Sequence, residues 1–480
     1  MWTWRVIKSP GCRRAARPAG SGPMTAAVPG REARMKTLNR LVDCLALLLG
    51  MHAMWVLSVC DCSFWVRSWV QLLAILAYIA VSVLPSWRWR ATFRLTMLAD
   101  GTELLIQFLI TLCINIAVVA VSGVACWRGS LSGWTLLWQV LGVLIGETVL
   151  FWNGMLRVYL TSVQLGIRWR VIGLLLGWVP VANLWALARI IRIGRAEVAV
   201  ESDKIEQNIR RAPDGICATR YPVLLVHGVF FRDLRHLSYW GRIPRALAQN
   251  GATLYYGQQQ SAASVADCGQ ELAVRIRDIV ETSGCEKVNI VAHSKGGLDA
   301  RWAISCLGMD RYVASLTTIN TPHRGCLFAE YLLNKAPGWL VRRVAGTYNR
   351  AFRRLGDAHP DFTAAVTDLT NRRCAQLNLQ MPDREGVYYQ SVGSRMARAR
   401  SGKFPLNVAY PMVRHFDGDN DGLVSVESSR WGERFMLLSP PGRRGISHGD
   451  VIDLNRENIG GFDVREFYVG LLADLKQRGF

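Results

Sequence analysis

Two periodicities divide the chain near residue 200. Upstream, apolar residues run almost unbroken over 41–59, 69–84, 104–125, 134–151 and 171–191. Runs of this length match helices crossing ~30 Å of hydrocarbon. Trp65, Trp69, Trp87, Trp89, Trp127, Trp134 and Trp169 stand at their edges, where a ring with one wet end belongs. Downstream of Tyr221 the pattern changes to short β-rich runs alternating with helical spacing. Strands are predicted over 223–226, 253–256, 288–291, 316–319 and 387–392, and helices over 241–249, 265–282, 297–307 and 464–477. Such alternation predicts an α/β domain built on a mostly parallel sheet with helices on both faces. Residues 1–34 show no period and read as disordered, or as an upstream-start extension before Met35-Lys36. The expected organisation is therefore 1–34 extension, 36–195 membrane domain with four or five transmembrane helices, 196–219 charged linker, and 220–480 α/β domain.

Inside the spans, Gly142 and Gly146 give the small-x-x-x-small spacing of a close helix contact. Glu147 is costly in lipid and is expected to face the bundle or water. Orientation is contested by the charges. Lys36 and Arg40, then Arg88, Arg90 and Arg94, then Arg157, Arg168 and Arg170 place the N-terminus inside, which puts the C-terminal half outside after five spans. Arg189, Arg192 and Arg195 after the last segment favour the inside instead. Pro180 and Asn183 interrupt that segment, which then reads as re-entrant or interfacial. The unpaired cysteines tip the expectation to a cytoplasmic-facing domain on a bacterial cell membrane.

Composition agrees with a membrane protein: half of the residues are hydrophobic, with 18 Trp. The net charge of +21 raises nucleic acid as a partner. Its distribution argues against that, because residues 1–200 hold 20 Lys and Arg against 7 Asp and Glu, set between apolar runs. No zinc-finger or RNA-binding motif is present. The 12 cysteines form no disulfide framework and read as reduced thiols. No small-x-small cleavage site follows the first apolar run, so a secretory signal is not expected.

The chemistry centres on Val288-Asn289-Ile290-Val291-Ala292-His293-Ser294-Lys295-Gly296-Gly297. A serine between a strand end and a helix start, with small residues two before and two after it, is a nucleophile elbow, here A-x-S-x-G. Upstream, Val226-His227-Gly228-Val229 is a strand running into a turn that offers a backbone N–H to an oxyanion. By position the two donors are the N–H groups of Val229 and Lys295, and His227 reads as shaping the turn. A serine needs a base, and the base an orienting carboxylate, which enzymes with this elbow carry in the order Ser, acid, His. His448 precedes the last helix. Asp421, ahead of Gly422-Leu423-Val424, is the matching acid. The run Asp417-Gly418-Asp419-Asn420-Asp421-Gly422 also opens like a calcium loop, but its twelfth position is Ser428 rather than a glutamate.

These pieces together resemble the bacterial triacylglycerol lipases of the α/β-hydrolase fold over nearly all of 220–480. The matching runs are Val226-His-Gly-Val, Tyr239-Trp-Gly-Arg-Ile-Pro, Ala292-His-Ser-Lys-Gly-Gly, Thr321-Pro-His-Arg-Gly325, Asn420-Asp-Gly-Leu-Val424 and Ser447-His-Gly-Asp450. The resemblance implies a Ser294–His448–Asp421 triad with Val229 and Lys295 as oxyanion donors. Ala292 departs from the commoner glycine. Lys295 stands where many relatives have His or Met and reads as a surface choice. Many relatives bind a structural calcium; Asp450 matches one ligand position, with no counterpart for the second carboxylate, so no cofactor or metal is expected.

Residues 326–370 fall where such lipases carry their lid. Leu327, Trp339 and five arginines between 342 and 354 suit an amphipathic cover at an anionic lipid surface. His323 reads as structural and Arg324 as surface. The expected function is a membrane-anchored serine lipase or carboxylesterase acting on lipid esters through an acyl-enzyme. Its partners would be a lipid ester and the bilayer. The alternatives are a phospholipase or lipid acyltransferase with the same triad, and, from another class, a membrane scaffold or transporter carrying an inactive hydrolase-like domain.

Overall fold

The computed structural model describes residues 29–480 except 54, 56–62, 86–91, 180, 230–238, 355 and 441, with side chains from Thr37 onward. Two compact units meet at Glu206 and Gln207.

The first unit is helical: α1 (Pro29–Met51), α2 (Phe64–Ser82), α3 (Phe93–Trp127), α4 (Gly133–Thr161), α5 (Gly166–Leu176) and the start of α6 (Ala182–Arg211). By length and composition α2, α3 and α4 could cross a membrane. The expected segment 41–59 lies partly outside the described residues. The expected span over 171–191 is not one helix. It breaks at Gly177, and the chain resumes through Val181 at φ +67°. Pro180 has no N–H for a helical ladder and disfavours helix at the residue before it, which accounts for the break.

Helices α3 and α4 pack through Leu98, Leu105 and Val158, joined by Leu187 and Ile190 of α6. Gly142 and Gly146 do bring a neighbour close. A Cβ on Gly142 would stand 2.7 Å from the Met51 carbonyl oxygen, and one on Gly146 2.6 Å from Met51 Cγ. Glu147 is buried, and its Oε1 accepts from Asn115 Nδ2 at 2.6 Å. Asn115 Oδ1 in turn meets His52 Nε2 at 2.7 Å. These polar groups of the helices thus turn inward on one another.

The second unit carries a six-stranded, wholly parallel sheet in the order β2-β1-β3-β4-β5-β6. The strands are β1 (Val223–Val226), β2 (Leu254–Tyr256), β3 (Val288–His293), β4 (Val313–Ile319), β5 (Tyr388–Ser394) and β6 (Arg434–Leu438). Five were predicted; β6 was not. Parallel strands need crossovers, and buried faces on both sides explain their near-continuous apolar sequences. Alternate residues serve opposite faces. Val223, Leu225 and Val291 join one core with α7 (Ile243–Gln249) and the last helix, Val464–Gln477. Leu224, Val226, Ile290 and Ala292 join the other, with α8 (Val265–Ser283) and α9 (Gly296–Cys306). The C-terminal ends of β1, β3 and β4 converge on one edge of this layer, where open parallel sheets place their sites. Helices α10 (Leu327–Lys335), α11 (Gly338–Arg354), α12 (Phe362–Thr367) and α13 (Asn371–Gln380) follow β4. α14 (Leu406–Asp417) follows β5, and α15 (Val464–Gln477) closes the chain.

Candidate active site

Ser294 sits between the end of β3 and the first turn of α9 with φ +55°, a left-handed conformation that costs a non-glycine residue on the order of 1–2 kcal/mol. The surroundings hold it there. Its N–H donates to the Ile319 carbonyl at 2.9 Å, and the Thr321 hydroxyl donates to its carbonyl at 2.7 Å. The need for small residues is direct: a Cβ on Gly296 would strike the His227 carbonyl oxygen, and one on Gly297 the Thr321 hydroxyl. Ala292 is fully buried in the core on the α8 and α9 side of the sheet, so a methyl is accommodated there. While its neighbours on either side are buried, Ser294 itself is partly exposed.

His448 and Asp421 come from the loops after β6 and α14. His448 Nδ1 and Asp421 Oδ2 are 2.7 Å apart, with the imidazole donating if Nδ1 carries the proton, and the His448 N–H donates to the Asp421 carbonyl at 2.9 Å. The other oxygen, Oδ1, accepts from the N–H groups of Leu423 at 2.9 Å and Val424 at 2.8 Å. Asp421 is 1% exposed, so these bonds are what keep a carboxylate there. The His448 ring lies 4.5 Å from the ring of His293, the residue before Ser294. Asp421 and His448 are thereby paired beside the strand end that leads into Ser294, the three residues expected from the sequence as acid, base and nucleophile.

The two proposed oxyanion donors flank the serine. A Cβ on Gly228 would stand 2.7 Å from Ser294 Cβ, which measures how closely the turn carrying Val229 approaches that serine. Lys295 begins α9. Among the described residues, neither the Val229 nor the Lys295 N–H donates to a loop carbonyl or a side chain.

The Lys295 side chain corrects the sequence reading. It is 1% exposed, not at the surface, and its Nζ lies 2.6 Å from Asp299 Oδ1 one turn along α9. Burial opposes the ammonium, yet the Asp299 carboxylate beside it more than compensates and raises its pKa. Burial also pushes the Cys268 thiol up to about 12, so it is a neutral neighbour.

Tyr239 carries a role that the sequence did not reveal. Its hydroxyl accepts from the Gly228 N–H at 3.0 Å and lies 2.6 Å from His293 Nδ1, tying the turn before the nucleophile to the strand that carries it. Burial, and next the nearby His448, hold the His293 pKa well below the usual imidazole range. His227 is fully buried, its Nε2 3.0 Å from the Gln259 carbonyl oxygen, a place for shaping the turn. His323 is buried too, stacked on Trp431 with ring centroids 5.2 Å apart, with Nε2 2.9 Å from the Thr318 hydroxyl. Arg324 lies at the surface, its side chain 54% exposed. Asp417, Asp419 and Asp421 do not converge. The first accepts from the N–H groups of Leu327 and Phe328, the second pairs with Arg395, and the third holds His448.

Comparison with known proteins is consistent with this geometry. Residues 246–353 match a family model described as "Putative serine esterase (DUF676)". A triacylglycerol lipase of Burkholderia plantarii is 32% identical over 213 residues, covering 42% of this chain and 58% of that protein's length. One from Vibrio cholerae serotype O1 is 29% identical over 243 residues, covering 46% of this chain and 77% of the relative. The triacylglycerol lipase of Pseudomonas fragi is 31% identical over 296 residues and is covered over 98% of its length by 54% of this chain. With a wholly parallel sheet, a serine at the strand–helix turn and a relative of this identity matched end to end, the chain belongs to the triacylglycerol lipase family of α/β-hydrolases, a family of carboxylic ester hydrolases.

Proposed function

We propose that the protein is a membrane-anchored serine lipase or carboxylesterase that hydrolyses acyl esters of lipids through an acyl-enzyme. The observation that carries this reading is the strained Ser294 turn with the His448–Asp421 pair beside it. His448 Nε2 takes the proton as Ser294 Oγ bonds to the ester carbonyl carbon. The carbonyl π pair moves to oxygen, and that oxyanion is held by the N–H groups of Val229 and Lys295. Collapse breaks the ester C–O bond, and the leaving alkoxide takes the proton from His448. Water then repeats the sequence on the acyl-serine and releases the fatty acid. Asp421 fixes the imidazole tautomer and offsets its transient charge. One oxyanion donor of this kind is worth about 10²–10³ in rate.

This chemistry needs no metal or organic cofactor. A calcium at the Asp450 turn does not fit the residues present: Asp450 accepts from Arg444 at 2.7 and 3.2 Å and from the Ser447 N–H at 2.9 Å, so a guanidinium occupies the carboxylate. The anchor is residues 36–195, supported by three helices of spanning length and composition. Residues 326–370 serve as the cover. In α11, Ala345 and Phe352 are buried, while Leu340, Val344 and Tyr348 form an exposed apolar stripe and Arg343, Arg350 and Arg354 an exposed basic one.

A fluorophosphonate probe tests the assignment. Wild type labels and releases free fatty acid from a lipid ester, and Ser294→Ala does neither. Equal labelling of the two proteins would remove Ser294 from the role. Transfer of the acyl group to an added alcohol in place of fatty acid release would make the protein an acyltransferase.

A further inference from the structure

A cavity of about 610 Å³ in the helical unit is lined by Arg40 of α1, Ile106 and Leu109 of α3, and Ala188, Ile191, Arg192, Arg195 and Ala196 of α6. We infer that it is a seat for one anionic phospholipid, separate from the ester-hydrolysing site. Two features of the chain place it at the boundary between headgroups and hydrocarbon. From Leu104 to Trp127, α3 holds no charged residue, a stretch of about 36 Å at the helical rise, while Asp100 and Glu103 precede it. Ile106 and Leu109 therefore lie just inside the apolar stretch, at the height where acyl chains begin.

The charges stand at the other end. Arg40 is bound by both oxygens of Glu103, so it adds little net charge. Arg192 and Arg195 are exposed, lie one turn apart on α6, and have no ion pair among the described residues. An unpaired double positive charge beside an apolar wall fits a ligand with an anionic head and a hydrocarbon tail. The wall itself is well set, because Gly194 lies between the two arginines and a Cβ there would stand 2.6 Å from Thr102 Cγ2 of α3. Helix α6 thus lies directly against α3, with its arginines fixed in height relative to Ile106.

The inference rests on residues 36–195 forming a membrane domain, so the experiment first separates that premise. Alkaline carbonate leaves the full chain in the membrane pellet; release to the supernatant would overturn the membrane premise and the site with it, whereas the lipid titration that follows can overturn the site alone. Native mass spectrometry of the full chain in a neutral detergent then follows titration with phosphatidylglycerol and with phosphatidylcholine of the same acyl chains. The expected result is one saturable phosphatidylglycerol, preferred over phosphatidylcholine. Near a bilayer surface each arginine is worth roughly a fivefold change in affinity, so R192Q/R195Q lowers the preference roughly twenty-five-fold. R192K/R195K, which keeps the charge, retains most of it. Equal binding of the two lipids by wild type, or an unchanged preference in R192Q/R195Q, overturns the site. Displacement of the lipid by inorganic phosphate alone would overturn the lipid as occupant.

Discussion

Replacing Lys295 with Met, Asp299 with Leu, and then both separates what the buried pair does for the fold from what the backbone beside it does for catalysis. Both side chains are almost wholly buried, 1% and 2% exposed, and 2.6 Å apart. Removing one partner strands a charge in the interior, which typically costs about 3–5 kcal/mol. Against a domain stability of about 5–15 kcal/mol, that is a third or more of the total. Met and Leu match the shapes of the residues they replace, so the double variant loses the Coulombic attraction and both desolvation penalties together. Such replacements are close to neutral, or stabilising by about 1–4 kcal/mol. Each single variant is therefore expected to lower the urea midpoint sharply, and the pair to restore it. The assay is pulse proteolysis of the full chain in mild detergent across a urea series, with a soluble short-chain ester as the activity readout.

The same set tests the oxyanion assignment. If the backbone N–H of Lys295 is the donor, the double variant keeps kcat within a few-fold of wild type, since Met keeps that N–H. A double variant slower by 10² or more at unchanged stability would refute the reasoning, because the ammonium itself would then be part of the catalytic machinery. A double variant as unstable as the singles would refute the account of the pair.

Asp421→Asn is expected to lower kcat by roughly 10⁴ with little change in KM, since the amide favours the wrong imidazole tautomer; steady-state kinetics on a soluble ester decide it. Acid should unfold the second unit through His293 and His323, both held well below the usual imidazole range by burial. Their folded pKa values are depressed, so stability is full above pH ~6.5 and is lost as pH falls below it, at about 1.4 kcal/mol per pH unit for each histidine and about 2.7 per pH unit for both. His323→Gln should halve that slope in urea midpoints, and an unchanged slope would remove it as a source. Cys306 is exposed whereas Cys268 is buried, so Cys306 is the thiol to use for topology. With the catalytic unit facing the cytoplasm, a membrane-impermeant maleimide labels Cys306 only after lysis, with Cys306→Ala as control; labelling in intact cells places the unit outside.

The hydrolase unit was legible where local sequence and global fold demand the same thing. At β1 and β3 the apolar runs serve both faces of the sheet, and the small residues around Ser294 answer to the His227 carbonyl just after β1 and to Thr321. The pairing of Asp421 with His448 was legible from their order and from the turn chemistry beside them. β6 was not: it is a five-residue edge strand after Gly432, partly exposed, and its period is too short to stand out. The buried Lys295 was not legible either. Charged residues are almost never fully buried unless paired, and the pairing with Asp299 looks in sequence like any i, i+4 surface pair. In the helical unit, composition picked out three helices of spanning length and composition, but the break before Val181 turned one expected segment into two helices.

Lys295 and Asp299 also bear on why the serine can hold its strained backbone. A left-handed residue persists only where its surroundings over-determine it. At Ser294 the restraint comes from three directions: the Ile319 carbonyl on β4, the Thr321 hydroxyl beyond it, and the first turn of α9. That turn is the weakest of the three on its own, since the start of a helix has N–H groups without helical partners. An acidic residue in the first turn suits the helix dipole, but an uncompensated one would oppose the negative charge that builds on the substrate oxygen. Lys295 resolves the conflict. Its ammonium secures the turn through Asp299 and cancels that carboxylate's field, while its backbone N–H stays available at the helix start. In the proposed mechanism, the residue after Ser294 therefore serves the fold with its side chain and the reaction with its main chain.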